Sequence, residues 1–180
     1  MWILRPFHTL LVLLLLCCTA AAEDVPEQDF FLSCSMGKMD ELNTYLEAHP
    51  DWVHARTADG EYCLHLAGIY GKSAVTTMLL KLGADPNVRT SYDKGLRMHP
   101  LSWNVYGNHL ENARLLLAAG ADPNMDFDFE HGGEKRKVTV MDLLYVLNEN
   151  NKHGDYDDLR DLLLKYGAKT LKELERGDEL

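Results

Sequence analysis

The side chains that could do chemistry are present but do not converge. The chain has eight histidines and four cysteines, yet no Cys-x-x-Cys or His-x-x-x-His pair stands at metal-binding spacing, and no Gly-rich phosphate loop or Gly-x-Ser-x-Gly elbow occurs. The acidic pairs Asp126/Asp128 and Asp157-Asp158 lack the Gly and Glu positions of a calcium loop and read as solvated faces. Lys135-Arg136-Lys137 is a small basic cluster embedded among Asp126, Asp128, Glu130 and Glu134, which argues against nucleic acid, as does the formal charge of −10. The pattern offers no catalytic residue, no metal site and no cofactor site.

What the sequence does contain is a sentence written twice. One copy runs from Asp59-Gly60 through Leu64-His65-Leu66-Ala67 and Gly71 to Met78-Leu79-Leu80-Lys81-Leu82-Gly83-Ala84-Asp85-Pro86-Asn87. The second closes on Leu115-Leu116-Leu117-Ala118-Ala119-Gly120-Ala121-Asp122-Pro123-Asn124, so that Gly83 to Gly120 is a step of 37. A period in that range signals stacked units. The Leu triplets give an outer helix its apolar side, Gly83 and Gly120 suit the left-handed residue that ends it, and Asp-Pro-Asn forbids continuation.

Matching offsets make this pattern similar to the ankyrin repeat. Counting Tyr62 and His99 as slot 1, the family's Pro slot holds Cys63 then Pro100, its Leu slot Leu64 then Leu101, and its His slot His65 then Ser102. The resemblance implies an all-α solenoid of about four helix-turn-helix repeats with extended hairpin fingers, divided as residues 23–57 (a degenerate first repeat), 58–90, 91–125, 126–169 (with a long finger and an insertion) and 170–180 (a capping turn and tail). In the third repeat Asn108, not Gly107, falls in the slot of Gly71. Thr170-Leu171-Lys172-Glu173 fits a capping box for a last helical turn. The family's histidine is structural, so the resemblance assigns His65 to hydrogen bonding.

Residues 1–22 read as a secretory signal: Arg5 near the start, an apolar run from Leu10 to Leu16, and Ala20-Ala21-Ala22 before Glu23. The run is shorter than the roughly 20 residues that span a bilayer, so a cleaved signal is expected with no membrane span, an uncleaved signal-anchor being the alternative. Cleavage removes Arg5 and leaves about −11, from −10 minus one positive charge. It also removes Cys17 and Cys18. With in-register inner helices about 10 Å apart, Cys34 and Cys63 fall roughly 12 Å from one another, beyond disulfide reach, and are expected as two buried thiols. Gly177-Asp178-Glu179-Leu180 resembles the KDEL-type tail read by a retrieval receptor, with Gly177 departing from the usual Lys or His. The expected location is the endoplasmic reticulum lumen, with secretion the alternative.

The resemblance implies a non-catalytic module that binds a protein partner through the concave inner-helix face and the finger tips. A thiol-active or other enzyme and a purely structural subunit are the alternatives. Slots 5 and 8 share a face and hold Leu32 and Ser35, Leu66 and Ile69, Trp103 and Tyr106, Leu143 and Val146. The candidate contact residues are Leu66, Ile69, Tyr70, Trp103 and Tyr106, joined by Phe127 and Phe129 from a finger expected to face water.

Overall fold

The computed structural model describes residues 28–91, 96–149 and 155–177. The expected signal over residues 1–22, the lead-in before residue 28 and the tail residues Asp178, Glu179 and Leu180 lie outside the described residues. Helices pair in chain order: α1 (Gln28–Met36) with α2 (Met39–Ala48), α3 (Cys63–Ile69) with α4 (Ser73–Lys81), α5 (Pro100–Tyr106) with α6 (Leu110–Ala118), and α7 (Val140–Glu149) with α8 (Asp157–Lys165). α9 (Leu171–Gly177) follows. Helices α1, α3, α5 and α7 stack as an inner row, and α4, α6 and α8 as an outer row. The all-α solenoid expected from the repeats is therefore the observed architecture.

Helix ends fall where the repeated residues put them. Gly83 and Gly120 have φ of 89° and 91°, and the N–H of the next residue reaches back to Leu79 O at 3.0 Å and Leu116 O at 2.9 Å, which satisfies otherwise orphaned carbonyls. Asn108, in the Gly71 slot, takes φ 53°, a conformation that asparagine tolerates better than most side chains. Thr170 and Glu173 form the reciprocal cap of α9: Thr170 N–H donates to Glu173 Oε2 at 2.8 Å, and Glu173 N–H to Thr170 Oγ1 at 3.3 Å. At the other end Phe30 is fully buried and meets Phe31, Tyr45 and Trp52 edge-on, so an aromatic cluster closes the first repeat.

The long finger corrects one expectation. It folds as an antiparallel hairpin of β1 (Phe127–His131) and β2 (Glu134–Val138), turned by Gly132 and Gly133 at φ 63° and 82°, the two positive values of a type I′ turn. Alternation along β1 turns Phe127 and Phe129 inward, where they are 2% and 9% exposed, while Asp128 and Glu130 lie on the other face. Phe127 meets His99 edge-on at 5.5 Å. These two rings are core, not finger tips offered to a partner. The hairpin is fastened to the preceding finger by Asp128 N–H donating to Leu96 O at 2.9 Å and by Arg89 pairing with Asp126 at 3.0 Å.

A second correction concerns the cysteines. Cys34 and Cys63 are joined in a disulfide, with Cα atoms 5.5 Å apart. The in-register picture with helices about 10 Å apart fails because the inner helices approach closely where a small residue sits at slot 7. The next step of the stack shows the same geometry: a Cβ on Gly68, also at slot 7, would lie 3.2 Å from the carbonyl oxygen of Pro100 at slot 2. Slot 7 and the following slot 2 are therefore contact partners, and cysteines in both places meet.

Phe127→Ala should cost about 3 kcal/mol of unfolding free energy, the usual price of emptying a buried aromatic site, while Tyr70→Ala, at an exposed position, should stay within about 0.5 kcal/mol. Urea unfolding of the two variants measures the difference.

Candidate functional site

The slots that face the groove are half open. Leu32 is 46% exposed, Ser35, Leu66, Ile69, Trp103, Tyr106 and Val146 are half-buried, and Tyr70, next to Ile69 in the chain, is exposed. Leu143 departs from the row and is fully buried. Two hollows run along this face. One lies between α1, α3 and the first finger, with Phe31, Leu32, Ser35 and Leu66 on its floor. The other lies between α3 and α5, lined by Ile69, Trp103, Tyr106, Gly107 and His109. The Trp103 and Tyr106 rings stand edge-to-face, 6.3 Å apart at 85°, and form an aromatic corner. The structure thus brings Leu66, Ile69, Trp103 and Tyr106 to the two hollows, leaves Tyr70 exposed outside them, and buries Phe127 and Phe129 in the core.

The second hollow has a fixed floor. His109 Nε2 lies 3.3 Å from Ile69 O, and Asn112 Nδ2 donates to Ala67 O at 3.1 Å, so the end of α3 is held by two side chains of the next repeat. Neither tie was readable from the repeat pattern, because both residues sit where the pattern carries no signal.

Buried titratable groups lie behind the groove, at the roots of the fingers. Tyr62 N–H donates to His65 Nδ1 at 3.0 Å, which leaves Nε2–H to donate to Val88 O at 3.1 Å. His65 therefore ties its own helix start to the following finger. Burial pushes its pKa down to about 4. His99 is pushed down to about 3, by burial first and then by Arg89 and His65. Glu61 moves the other way: burial, then Asp59, raises its carboxyl to about 7. Its Oε2 is 3.5 Å from a His65 Nδ1 already occupied as an acceptor, and it has no hydrogen-bond donor among the described residues. These groups serve structure, through the His65 hydrogen bonds to Tyr62 N–H and Val88 O. Among the described residues no group of three or more His, Cys, Asp or Glu side chains gathers to hold a metal.

The Ankyrin repeat family model matches residues 59–91 and 97–126. These two segments are similar to ankyrin repeats, and the flanking helix pairs continue the same stack. Comparison with curated proteins gives no match. Ankyrin repeats are generally protein-interaction modules and are typically non-enzymatic, and no helix among the described residues is long and apolar enough to cross a membrane.

The pH dependence of folding follows from the network. His65 and His99 have folded pKa values below the ordinary 6.5, so their stabilisation is present above pH 6.5 and is lost as pH falls. Glu61 has a folded value above the ordinary 4.5, so its contribution is present at low pH and is lost as pH rises through about 7. Between pH 5 and 6 these groups give a net uptake of about one proton on unfolding, two to the histidines less one from Glu61. Glu61→Gln should raise that uptake to about two, which the slope of stability against pH reads directly.

Proposed function

We propose that the chain is a non-catalytic interaction module of the secretory pathway, and that it binds a protein partner through the concave face built on Leu66, Ile69, Trp103 and Tyr106, with the exposed Tyr70 next to Ile69 in the chain. The observation that carries this reading is the aromatic corner. Trp103 and Tyr106 are half-buried in an open hollow, and such residues dominate binding energy at protein interfaces. Thiol exchange by Cys34 and Cys63 is disfavoured because both are fully buried in their disulfide, whereas reactive cysteines need access.

Three features support the endoplasmic reticulum lumen as the compartment: the signal-like composition of residues 1–22, the KDEL-like Gly177-Asp178-Glu179-Leu180, and the Cys34–Cys63 disulfide. A stable disulfide fits an oxidising compartment and is rare in the cytosol.

Proximity labelling from the full chain in cells identifies the partner. Trp103→Ala combined with Tyr106→Ala should remove its recovery, at about 2 kcal/mol or more for each anchor, while a cooperative thermal transition persists. Persistence of the partner would refute the groove, and collapse of the transition would assign both rings to the core. For the compartment, protein denatured without reductant should expose no thiol at Cys34 or Cys63, and deleting the last four residues should increase secretion. Free thiols at both positions, or equal secretion of the two forms, would count against a retained luminal protein.

A further inference from the structure

The hollow between α3 and α5 is lined by Ile69, Trp103, Tyr106, Gly107 and His109, so no carboxylate, ammonium or guanidinium group is among the described residues of its wall. Asn108 stands between Gly107 and His109 and donates through Nδ2 to Asp155 O at 3.1 Å. The residues leading into α8 therefore lie next to the hollow. Tyr156, which follows Asp155, is close enough to Tyr106 for that phenol, after burial, to raise its hydroxyl pKa.

The charges beside this apolar hollow do not balance. Glu111 in the first turn of α6, Asp155 ahead of α8, and Asp157 and Asp158 in the first turn of α8 are acidic. Arg114 is held by Glu111, and Arg160 by Asp157 and Asp161. Asp155 and Asp158 are exposed and make no ion pair among the described residues; Asp155 Oδ1 accepts only the Asp157 N–H, at 2.8 Å, which leaves its charge in place. Lys72, in the turn between α3 and α4, packs its stem over Gly37 of the first repeat, where a Cβ would meet its Cδ at 3.3 Å, and so leans away from α5. An apolar hollow beside unpaired carboxylates suits a side chain that is apolar along its stem and cationic at its tip. Arginine fits best, because its planar cation also stacks on aromatic rings, tryptophan above all. A leucine would fill the hollow and leave Asp155 and Asp158 unanswered, and a carboxylate would be repelled by them.

We propose that this hollow is an arginine pocket: the partner presents a basic segment, one arginine of which lays its stem against Ile69 and the Trp103–Tyr106 corner and turns its guanidinium toward Asp155 and Asp158. This rests on the concave-face reading and adds to it the chemistry of the partner. The formal charge of −10 on the whole chain draws such a segment in from a distance and makes the association salt-dependent.

The test uses the full chain and a short fluorescent peptide alternating arginine and serine, followed by anisotropy. Two controls of the same length replace arginine by citrulline, which keeps the shape and loses the charge, or by leucine. The arginine peptide should bind about tenfold or more tightly than either. Trp103→Ala with Tyr106→Ala changes no charge and should lower its affinity about tenfold, while Trp103→Phe, which keeps a ring, should lose less than Trp103→Ala. Asp155→Asn with Asp158→Asn alters two exposed side chains, keeps the oxygen that caps α8, and should lower affinity about threefold, so the proposal stays open to refutation even where the aromatic double change fails to fold. Equal binding of the citrulline peptide would overturn the proposal. Arginine binding untouched by the aromatic change or by the aspartate change would do the same, since attraction to an acidic chain at large would then account for it. A cellular partner whose recovery needs Trp103 and Tyr106, with no binding of the arginine peptide, would overturn the arginine pocket and leave the concave face standing; recovery that ignores both rings would remove the face itself.

Discussion

The structure depends on close approach between successive inner helices. A pair such as α3 and α4 is too small to bury its own apolar face, so each repeat acquires a core only by stacking on its neighbour. Fully buried Leu64, Leu101 and Leu143 sit in the inner row, and the small slot-7 residue lets the backbones meet. At one step this contact is Gly68 against Pro100 and Asn104; at the preceding step it is a covalent bond. The first repeat, which departs most from the repeated pattern and has no described neighbour on its outer side, is thus the one tied by a disulfide.

Polar side chains repeat the same borrowing at the finger roots. Asn87 Nδ2 donates to Gly120 O at 3.1 Å, and Asn87 Oδ1 accepts from Asp122 N–H at 2.8 Å. One repeat later, Asn124 makes the same two bonds with Gly167 O and Lys169 N–H. Each Asp-Pro-Asn triplet ends its own helix and, through its asparagine, satisfies the end of the next one. These bonds lie at the surface, and in each the asparagine joins its finger root to the helix end of the adjacent repeat. The motif therefore links local helix termination to long-range order.

This also explains which features could be read from the residues and which could not. Gly83, Gly120 and the Asn108 replacement were readable because a helix end with positive φ restricts residue type locally. The Thr170–Glu173 cap was readable for the same reason. The Cys34–Cys63 bond was not, since it depends on how closely neighbouring helices approach, which no local pattern encodes. Phe127 and Phe129 were misplaced for a different reason: alternation puts both rings on one face of the expected hairpin finger, but that this face packs inward, with Phe127 against His99, depends on tertiary contact. Of the candidate groove, the row of slots was visible in the sequence, while the burial of Leu143 and the ties from His109 and Asn112 depended on tertiary packing.

Those ties bear on function because binding costs the ordering of whatever was loose beforehand. The hollow floored by Leu32 and Leu66 spans α1 and α3, the two helices that the disulfide joins. The hollow floored by Ile69 and Trp103 spans α3 and α5, where Asn112 and His109 hold the end of α3. Adjacent sections of one concave face are thus set to width by different means, covalent in the first and hydrogen-bonded in the second. A rigid backbone leaves the rotamers of Trp103, Tyr106 and Tyr70 as the main freedom to be lost on contact. Aromatic side chains have few such freedoms relative to the area they bury, so a partner at the proposed face would cost this chain little ordering.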